Sequence, residues 1–189
     1  MQLYYLALVV PEPFAARIVQ TQHELERRFG YGKARTSPPH VTLVPPFPFE
    51  EELLPELGKV LDRITQAFRP FTVLVQGTDS FPSHTVFLHI LQNRSLRVLE
   101  HKLWQGVTGA FPSVAWKDRV RFHPHITLAT GIRREEDFFA MKKLAAEAGG
   151  HAQFTVGYVT LLNWKHDQWI PVSKYLLQGG KKCGVDPAP

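Results

Sequence analysis

The sequence predicts an α+β fold of two lobes related by a pseudo-two-fold axis, each lobe an antiparallel sheet with helices outside, around a central cleft. Two observations predict this fold. The tetrapeptide at 40–43, His-Val-Thr-Leu, recurs 85 residues further on (from 40 to 125) as His-Ile-Thr-Leu at 125–128. The order of strands and helices around the two copies also repeats at nearly the same offset, and self-similarity over several elements indicates an internal structural repeat.

Hydrophobic periodicity predicts the first repeat in the order strand, helix, strand, helix, strand. The first helix ends before Gly30, and its apolar side includes Ile18 and Leu25. The first histidine strand is expected to stop at the prolines that follow it, since proline lacks a ladder donor. The predicted ranges are 3–9, 13–29, 40–44, 53–68 and 71–75.

The second repeat has the same order, followed by one extra strand. The closing strand at 169–177 is expected to pair with the strand at 154–162 across a turn at 163–168. A pseudo-two-fold axis places equivalent residues opposite one another, so His40 and His125 are expected to meet across the cleft. The predicted ranges of the second repeat are 85–91, 95–109, a strand around 125–128, 134–148 and 154–162.

Length and composition are typical of one soluble globular domain. The chain has 189 residues, of which 44% are hydrophobic and 21% charged. We expect a single bilobal domain at 1–180, with internal repeats at about 3–77 and 85–162, and a flexible tail at 181–189. No apolar run is long enough to span a bilayer and no signal peptide is recognised, so a cytoplasmic protein without a membrane partner is expected.

Cysteine content argues against an internal disulfide, and the net charge weakly favours an anionic ligand. The single cysteine, Cys183, lies in the tail and cannot form an internal disulfide. A net charge of +5 with a pI near 9.4 suits an anionic ligand such as phosphate or RNA, but it is a weak bias. No DNA partner is expected, and the protein is expected to be a monomer.

Each tetrapeptide gives its strand one wet face and one buried face. Side chains alternate along a strand, so the histidine and threonine share one face while the apolar pair shares the other. A neutral imidazole can accept a proton and an imidazolium can donate one, since the pKa of histidine lies near 6.5. Threonine hydroxyls beside them could donate hydrogen bonds to phosphate oxygens. The two motifs therefore favour phosphodiester chemistry with His40 and His125 as the acid–base pair and Thr42 and Thr127 as phosphate ligands.

Three further residues are candidates for substrate binding, each with an ordinary structural alternative. Arg121 and His123 share the strand parity of His125 if Pro124 leaves the strand regular, and Arg121 could then bind a phosphate. Phe47 could stack on a base or pack beneath its loop. The His-x-His spacing resembles a metal site, but no cysteine or carboxylate cluster accompanies it, so no metal and no cofactor are expected.

The motifs at 39–43 and 122–128 resemble those of the two-histidine phosphoesterase superfamily, in its branch of 2'-5' RNA ligase-like proteins and RNA 2',3'-cyclic phosphodiesterases. The opening strand and the closing strand pair extend this resemblance over nearly the whole chain. The resemblance implies a bilobal, LigT-like fold, metal-independent phosphoester chemistry, a catalytic pair of His40 and His125, and phosphate-binding hydroxyls on Thr42 and Thr127. One departure is the continuation Val-Pro-Pro-Phe at 44–47, where ligase-like members have a Phe-Leu-Gly type of turn.

The hypothesis we favour is hydrolysis of a 2',3'-cyclic phosphate, on a nucleotide or an RNA end, to a 2'-phosphate. We assign His125 as the base towards water and His40 as the acid towards the leaving 3'-oxygen; the symmetry of the two motifs is equally compatible with the reverse assignment. The alternatives are 2'-5' RNA ligation and a non-catalytic nucleotide- or RNA-binding module that uses the same cleft. Ligation would need contacts to a longer RNA, for which the loops offer scattered cations: Lys33, Arg35, Lys117, Arg119, Arg133 and Arg134.

Overall fold

Two four-stranded antiparallel sheets and four helices form the described part of the chain. The computed structural model describes residues 1–81, 84–91, 93–114, 121–147 and 151–179. Among these residues none of the helices is both long and apolar enough to cross a membrane. The elements are β1 Gln2–Val9, α1 Phe14–Phe29, β2 His40–Phe49, α2 Leu54–Thr65, β3 Phe71–Phe81, β4 Thr85–Leu91, α3 Arg94–Ala110, β5 His125–Thr130, α4 Glu135–Glu147, β6 His151–Val156, β7 Tyr158–Lys165 and β8 Gln168–Leu176.

The two histidine strands are edge strands of different sheets. The strand order is β2-β1-β7-β8 in the first sheet and β5-β4-β3-β6 in the second. β2 and β5 contact each other, so the two sheets meet along these edges. The α+β fold with one antiparallel sheet in each lobe is therefore confirmed.

The two lobes are not the two halves of the chain. β3, from the first predicted repeat, pairs with β4 and β6 in the second sheet, whereas β7 pairs with β1 in the first sheet. Helices also cross over, because α1 packs against β5 and α3 packs against β2. The predicted repeats at 3–77 and 85–162 therefore do not coincide with the sheets. Adjacent antiparallel strands joined by a short connection tend to pair, and β3 and β4 do so across residues 82–84.

The expected stop of β2 at its prolines is wrong. The strand continues to Phe49, and Pro48 and Phe49 stay in register with Leu3 and Gln2 of β1. Proline is compatible with an edge strand, where the missing N–H faces away from the neighbouring strand. Irregular register near Tyr4 and Leu6 accompanies this proline-rich part of the pairing.

The single strand predicted at 154–162 is two strands. β6 ends at Val156, Gly157 separates it from β7, and the two strands belong to different sheets. The predicted pairing with the closing strand is confirmed for β7, which pairs with β8 along its whole length. Their turn is shorter than expected: His166 and Asp167 have φ values of 51° and 57°, the positive values of a two-residue hairpin turn.

One main apolar core joins the elements of both lobes. Side chains of all four helices and both sheets belong to the same buried cluster, which includes Ile18 and Leu25 on the predicted face of α1. β3 runs on to Phe81, beyond the predicted end at 75. The predicted tail at 181–189, including Cys183, lies outside the described residues.

A buried leucine of α3 gives a test of this shared core. Leu103 is 0% exposed, whereas Leu176 on β8 is 54% exposed. Leu103→Ala removes buried apolar atoms and leaves a cavity, so the free energy of unfolding should fall by about 2–5 kcal/mol. Urea denaturation measures this change. Leu176→Ala is the matched control and should change stability by less than about 0.5 kcal/mol. Equal losses in the two variants would contradict the core described above.

Candidate active site

Each histidine is the first residue of its edge strand. His40 begins β2 and His125 begins β5. The apolar residues of both tetrapeptides are buried, whereas the two histidines and the two threonines are half-buried. The predicted division into a wet face and a core face is confirmed for both strands.

Both imidazole rings are held by the same backbone contact. Nδ1 of His40 lies 2.8 Å from the Pro38 carbonyl oxygen, and Nδ1 of His125 lies 2.7 Å from the His123 carbonyl oxygen. A carbonyl only accepts, so Nδ1–H donates in each case and a neutral ring carries its lone pair on Nε2. The equivalent contact in the two motifs leaves both Nε2 atoms available for proton transfer.

Hydroxyl groups surround His40. Ser37 Oγ lies 3.2 Å from His40 Nδ1, and the Tyr5 hydroxyl is hydrogen-bonded to Ser37 Oγ. The Tyr5 ring also packs on the His40 ring with centroids 5.1 Å apart. Burial raises the pKa of Tyr5 above its ordinary value, so this hydroxyl stays protonated.

Aromatic rings surround His125 instead. Its ring centroid lies 4.9 Å from that of Phe87, 5.2 Å from that of Phe81 and 6.3 Å from that of His123. Phe87 is fully buried and Phe81 is partly exposed. The two histidines thus share a backbone contact but differ in their neighbours.

Both histidines are shifted towards the neutral form. The pKa of His40 is lowered to about 4, chiefly because burial disfavours the charged ring; the hydrogen bond to Pro38 opposes this shift and repulsion from His125 adds to it. Burial is also the main cause that lowers the pKa of His125. Both rings are therefore neutral near pH 7.

A cavity of about 190 Å³ lies between the lobes beside His40. This volume is more than ten times the roughly 10–15 Å³ that a cavity of this kind needs to hold one water molecule. His125 is not part of the lining and lies beside Phe81 and Phe87, while Thr127, two residues on, does reach the cavity. Residues from both motifs and from neighbouring elements line it, including Tyr5, Gln22, His40, Thr42, Thr127 and Trp169.

Gln22 is a cavity residue that the sequence reasoning missed. It is 3% exposed, and its Nε2 donates to the Thr127 carbonyl oxygen at 2.9 Å. This contact fixes the orientation of the amide, because the carbonyl cannot donate. Oε1 of Gln22 is buried and has no hydrogen-bond partner within the described parts of the chain. A signal existed in the sequence, since Gln22 lies on the same helical face as Ile18 and Leu25.

The predicted role of Phe47 in base stacking is wrong. Its side chain is 0% exposed and packs on Phe49 with ring centroids 5.8 Å apart. β2 continues past Pro46, so the alternation that buries Val41 and Leu43 also directs this ring into the core. Among other aromatic residues, Trp169 lines the cavity and Tyr4 is buried in the core, while Trp116 lies outside the described residues.

Arg121 and His123 lie ahead of β5 rather than within it. The strand begins at His125, so strand parity does not govern either residue. Both side chains are exposed. His123 nevertheless adjoins the site: its carbonyl holds His125, and its ring lies 5.3 Å from Phe81. Within the ranges that the structure describes, no group of three or more His, Cys, Asp or Glu side chains is arranged to hold a metal ion.

Two histidine–threonine pairs on the facing edge strands of two sheets define the class of two-histidine phosphoesterases. The sequence model of the 2'-5' RNA ligase superfamily matches residues 10–168. The chain belongs to this superfamily.

Similar proteins agree with this assignment. One relative is a protein of Geobacillus thermodenitrificans that is provisionally named a phosphoesterase. It is 33% identical over 150 residues, which cover 77% of this chain and 81% of the relative's chain. The crystal structure of TT0787 of Thermus thermophilus has a TM-score of 0.69 at 22% identity and covers 95% of this chain and 99% of that one. Escherichia coli LigT complexed with 3'-AMP has a TM-score of 0.62 at 19% identity, covering 93% and 98%. These structures show the same fold.

The lowered pKa of His40 makes stability depend on pH. Between about pH 6.5 and about pH 4 the unfolded chain binds a proton at residue 40 that the folded chain does not, so the free energy of unfolding falls as pH falls through this range. His40→Asn removes this contribution. Thermal unfolding at about pH 7 and about pH 5 should show a smaller loss of Tm in the variant than in the wild type. An equal loss in both proteins would contradict the burial of a neutral His40.

Proposed function

We propose that the protein hydrolyses a 2',3'-cyclic phosphate on a nucleotide or an RNA end, and that the product is a 2'-phosphate. The observation that carries the proposal is the pair of histidines on contacting edge strands. Each histidine donates its Nδ1–H to a backbone carbonyl, and the threonine two residues after each histidine lines the cavity. Structures of LigT complexed with 3'-AMP, NADP⁺ and ATP support a nucleotide as the ligand of this fold.

In the proposed reaction, Nε2 of His125 accepts a proton from water, and the resulting hydroxide oxygen attacks the phosphorus. The bond between phosphorus and the 3'-oxygen breaks, and His40 donates a proton to that oxygen as it leaves. The hydroxyls of Thr42 and Thr127 donate to non-bridging phosphate oxygens, whose charge grows in the transition state. Water is added across one P–O bond, and the two histidines end with their protonation states exchanged.

The proposed acid, His40, is neutral near pH 7 and must gain a proton before it can act. Both histidines are neutral near pH 7 in the free protein, because burial and repulsion from a neighbouring histidine both disfavour the charged ring. An anionic phosphate in the cleft favours the charged form of a nearby ring and raises its pKa. The proton of the acid is therefore taken up together with the substrate, and this order limits proton uptake to the occupied site.

Gln22 can contribute a specific contact to the bound nucleotide. One N–H of its amide donates to the Thr127 carbonyl, and the buried Oε1, which has no partner in the described ranges, remains as an acceptor for a ligand. A buried acceptor without a partner is costly, and a ribose hydroxyl or a base amino group would satisfy it. The proposed orientation places the nucleoside part of the substrate on this side of the cavity.

Substitution of either histidine tests the proposal. His40→Ala and His125→Ala should each reduce turnover of a 2',3'-cyclic nucleotide at least about 100-fold, the lower range of acid–base catalysis. The control is His23→Ala, which removes an exposed histidine of α1 and should leave turnover unchanged. Turnover is measured on cyclic nucleotides, 2'-5' oligoadenylates and RNA that ends in a cyclic phosphate, with and without EDTA.

The outcomes of this panel are distinct. Activity on a cyclic phosphate that survives EDTA and is lost in both active-site variants supports the proposal. Near-wild-type activity in either variant would refute the acid–base pair. Binding of nucleotides without turnover of any substrate would identify a binding module instead, and a strict metal requirement would refute the metal-independent mechanism.

A further inference from the structure

We infer a second phosphate subsite beside the catalytic cavity, which binds the next phosphate of an RNA end and so favours oligonucleotide substrates over mononucleotides. The subsite is a groove of about 530 Å³ formed by residues 30–33, His84 and residues 130–133, called the basic groove below. Lys33 and Thr130 line both the basic groove and the catalytic cavity. The two spaces are therefore neighbours, and a ligand can extend from one into the other. This inference rests on the proposed function.

Two cations of the basic groove lack a carboxylate partner. Lys33 and Arg133 are exposed and lie on the two loops that form its walls. Within the described ranges, neither forms an ion pair with a described carboxylate, whereas Arg35 pairs with Glu26 and Arg134 pairs with Asp137. Of these four loop cations, the two that line the groove are the two that remain available to an anion.

The acidic groups near the groove are already engaged. Glu26 lies against Gly32, but its carboxylate is paired with Arg35. Asp137 accepts two hydrogen bonds from Arg134, both at 2.7 Å, and a third from the Tyr31 hydroxyl at 2.9 Å. Neutralised carboxylates repel an anion less, so Lys33 and Arg133 determine the charge of the groove.

The walls of the groove are fixed before a ligand arrives. Tyr31 connects the first loop to α4 through Asp137, and the Ile132 amide donates to the His84 carbonyl at 3.2 Å. Gly131 has a φ of 73°, a conformation that other residues rarely adopt, and a methyl group there would lie 3.6 Å from Cδ of Lys33. The Lys33 side chain thus extends along the opposite loop. A preorganised groove binds an anion with a smaller loss of conformational freedom.

The junction of the two spaces is polar. Thr130 Oγ1 lies 2.9 Å from Thr85 Oγ1, which in turn lies 2.8 Å from Nδ1 of His84. Hydroxyl, lysine and arginine side chains match phosphate and ribose oxygens, and Arg can bind phosphate through two parallel hydrogen bonds. The chemistry of the groove therefore fits the sugar-phosphate backbone of a second nucleotide, whose first phosphate occupies the catalytic cavity.

Equilibrium binding of reaction products tests the subsite without requiring turnover. The two probes are adenosine 2'-monophosphate and the dinucleotide ApA with a terminal 2'-phosphate, which differ by one nucleoside and the phosphodiester that joins it. The wild type should bind the dinucleotide at least about tenfold more tightly, and Arg133→Ala and Lys33→Ala should each reduce this ratio several-fold by removing a charge-assisted contact. Calorimetry measures both affinities, and Arg133→Lys should restore part of the ratio.

Lys59→Ala and Arg63→Ala are charge-matched controls on exposed positions of α2, and they should leave the ratio unchanged. No preference for the dinucleotide in the wild type would overturn the subsite. An equal weakening of both probes in Arg133→Ala and in Lys33→Ala, with no change in their ratio, would overturn it as well, because long-range charge would then explain the loss.

Turnover and binding measurements on the wild type and on the Arg133 variant distinguish a failure of the subsite from a failure of the proposed function. A dinucleotide preference that depends on Arg133, in a protein that turns over no cyclic phosphate, supports the subsite and refutes the proposed reaction. Normal turnover of a cyclic mononucleotide without any dinucleotide preference refutes the subsite and leaves the reaction supported.

Discussion

The contact between two edge strands, β2 and β5, is the constraint on which the rest of the site depends. Each strand has a neighbour on one side only, so its other edge is free to face the opposite lobe. The strands begin with His40 and His125, and the alternation of side chains then directs a threonine from each strand to the same cleft. A slip of one residue in either register would bury the histidine and expose an apolar side chain.

The crossed topology holds this contact in place. α1 begins in the first half of the chain but packs on β5, and Gln22 satisfies the carbonyl of Thr127 at the edge of that strand. α3 makes the corresponding crossing to β2. Because each lobe contains elements from both halves, neither half is a complete lobe by itself. The distance between the two histidines is therefore set by a shared core rather than by a flexible linker.

Much of this arrangement could be predicted from local patterns. The positions of the histidines on strands, the buried apolar pairs and the helices all follow from hydrophobic periodicity. Other features depend on pairing that is not local. The prolines after Leu43 are tolerated because β2 is an edge strand, and the break at Gly157 follows from a change of sheet. For Phe47 the sequence left base stacking and packing open, and the continued strand decides for packing. Gln22 was overlooked because a polar residue on an apolar face needs a partner that only the fold reveals.

In the proposed mechanism His125 is the general base and His40 is the general acid. The dependence of the reaction rate on the leaving group tests these two roles most directly. A p-nitrophenyl phosphodiester has a leaving group that departs without a proton, so an enzyme without its general acid should still cleave it. His40→Ala should lose at least about 100-fold on a 2',3'-cyclic phosphate but much less on the p-nitrophenyl diester, while His125→Ala should be slow on both. An identical response of the two variants to both substrates would contradict the account.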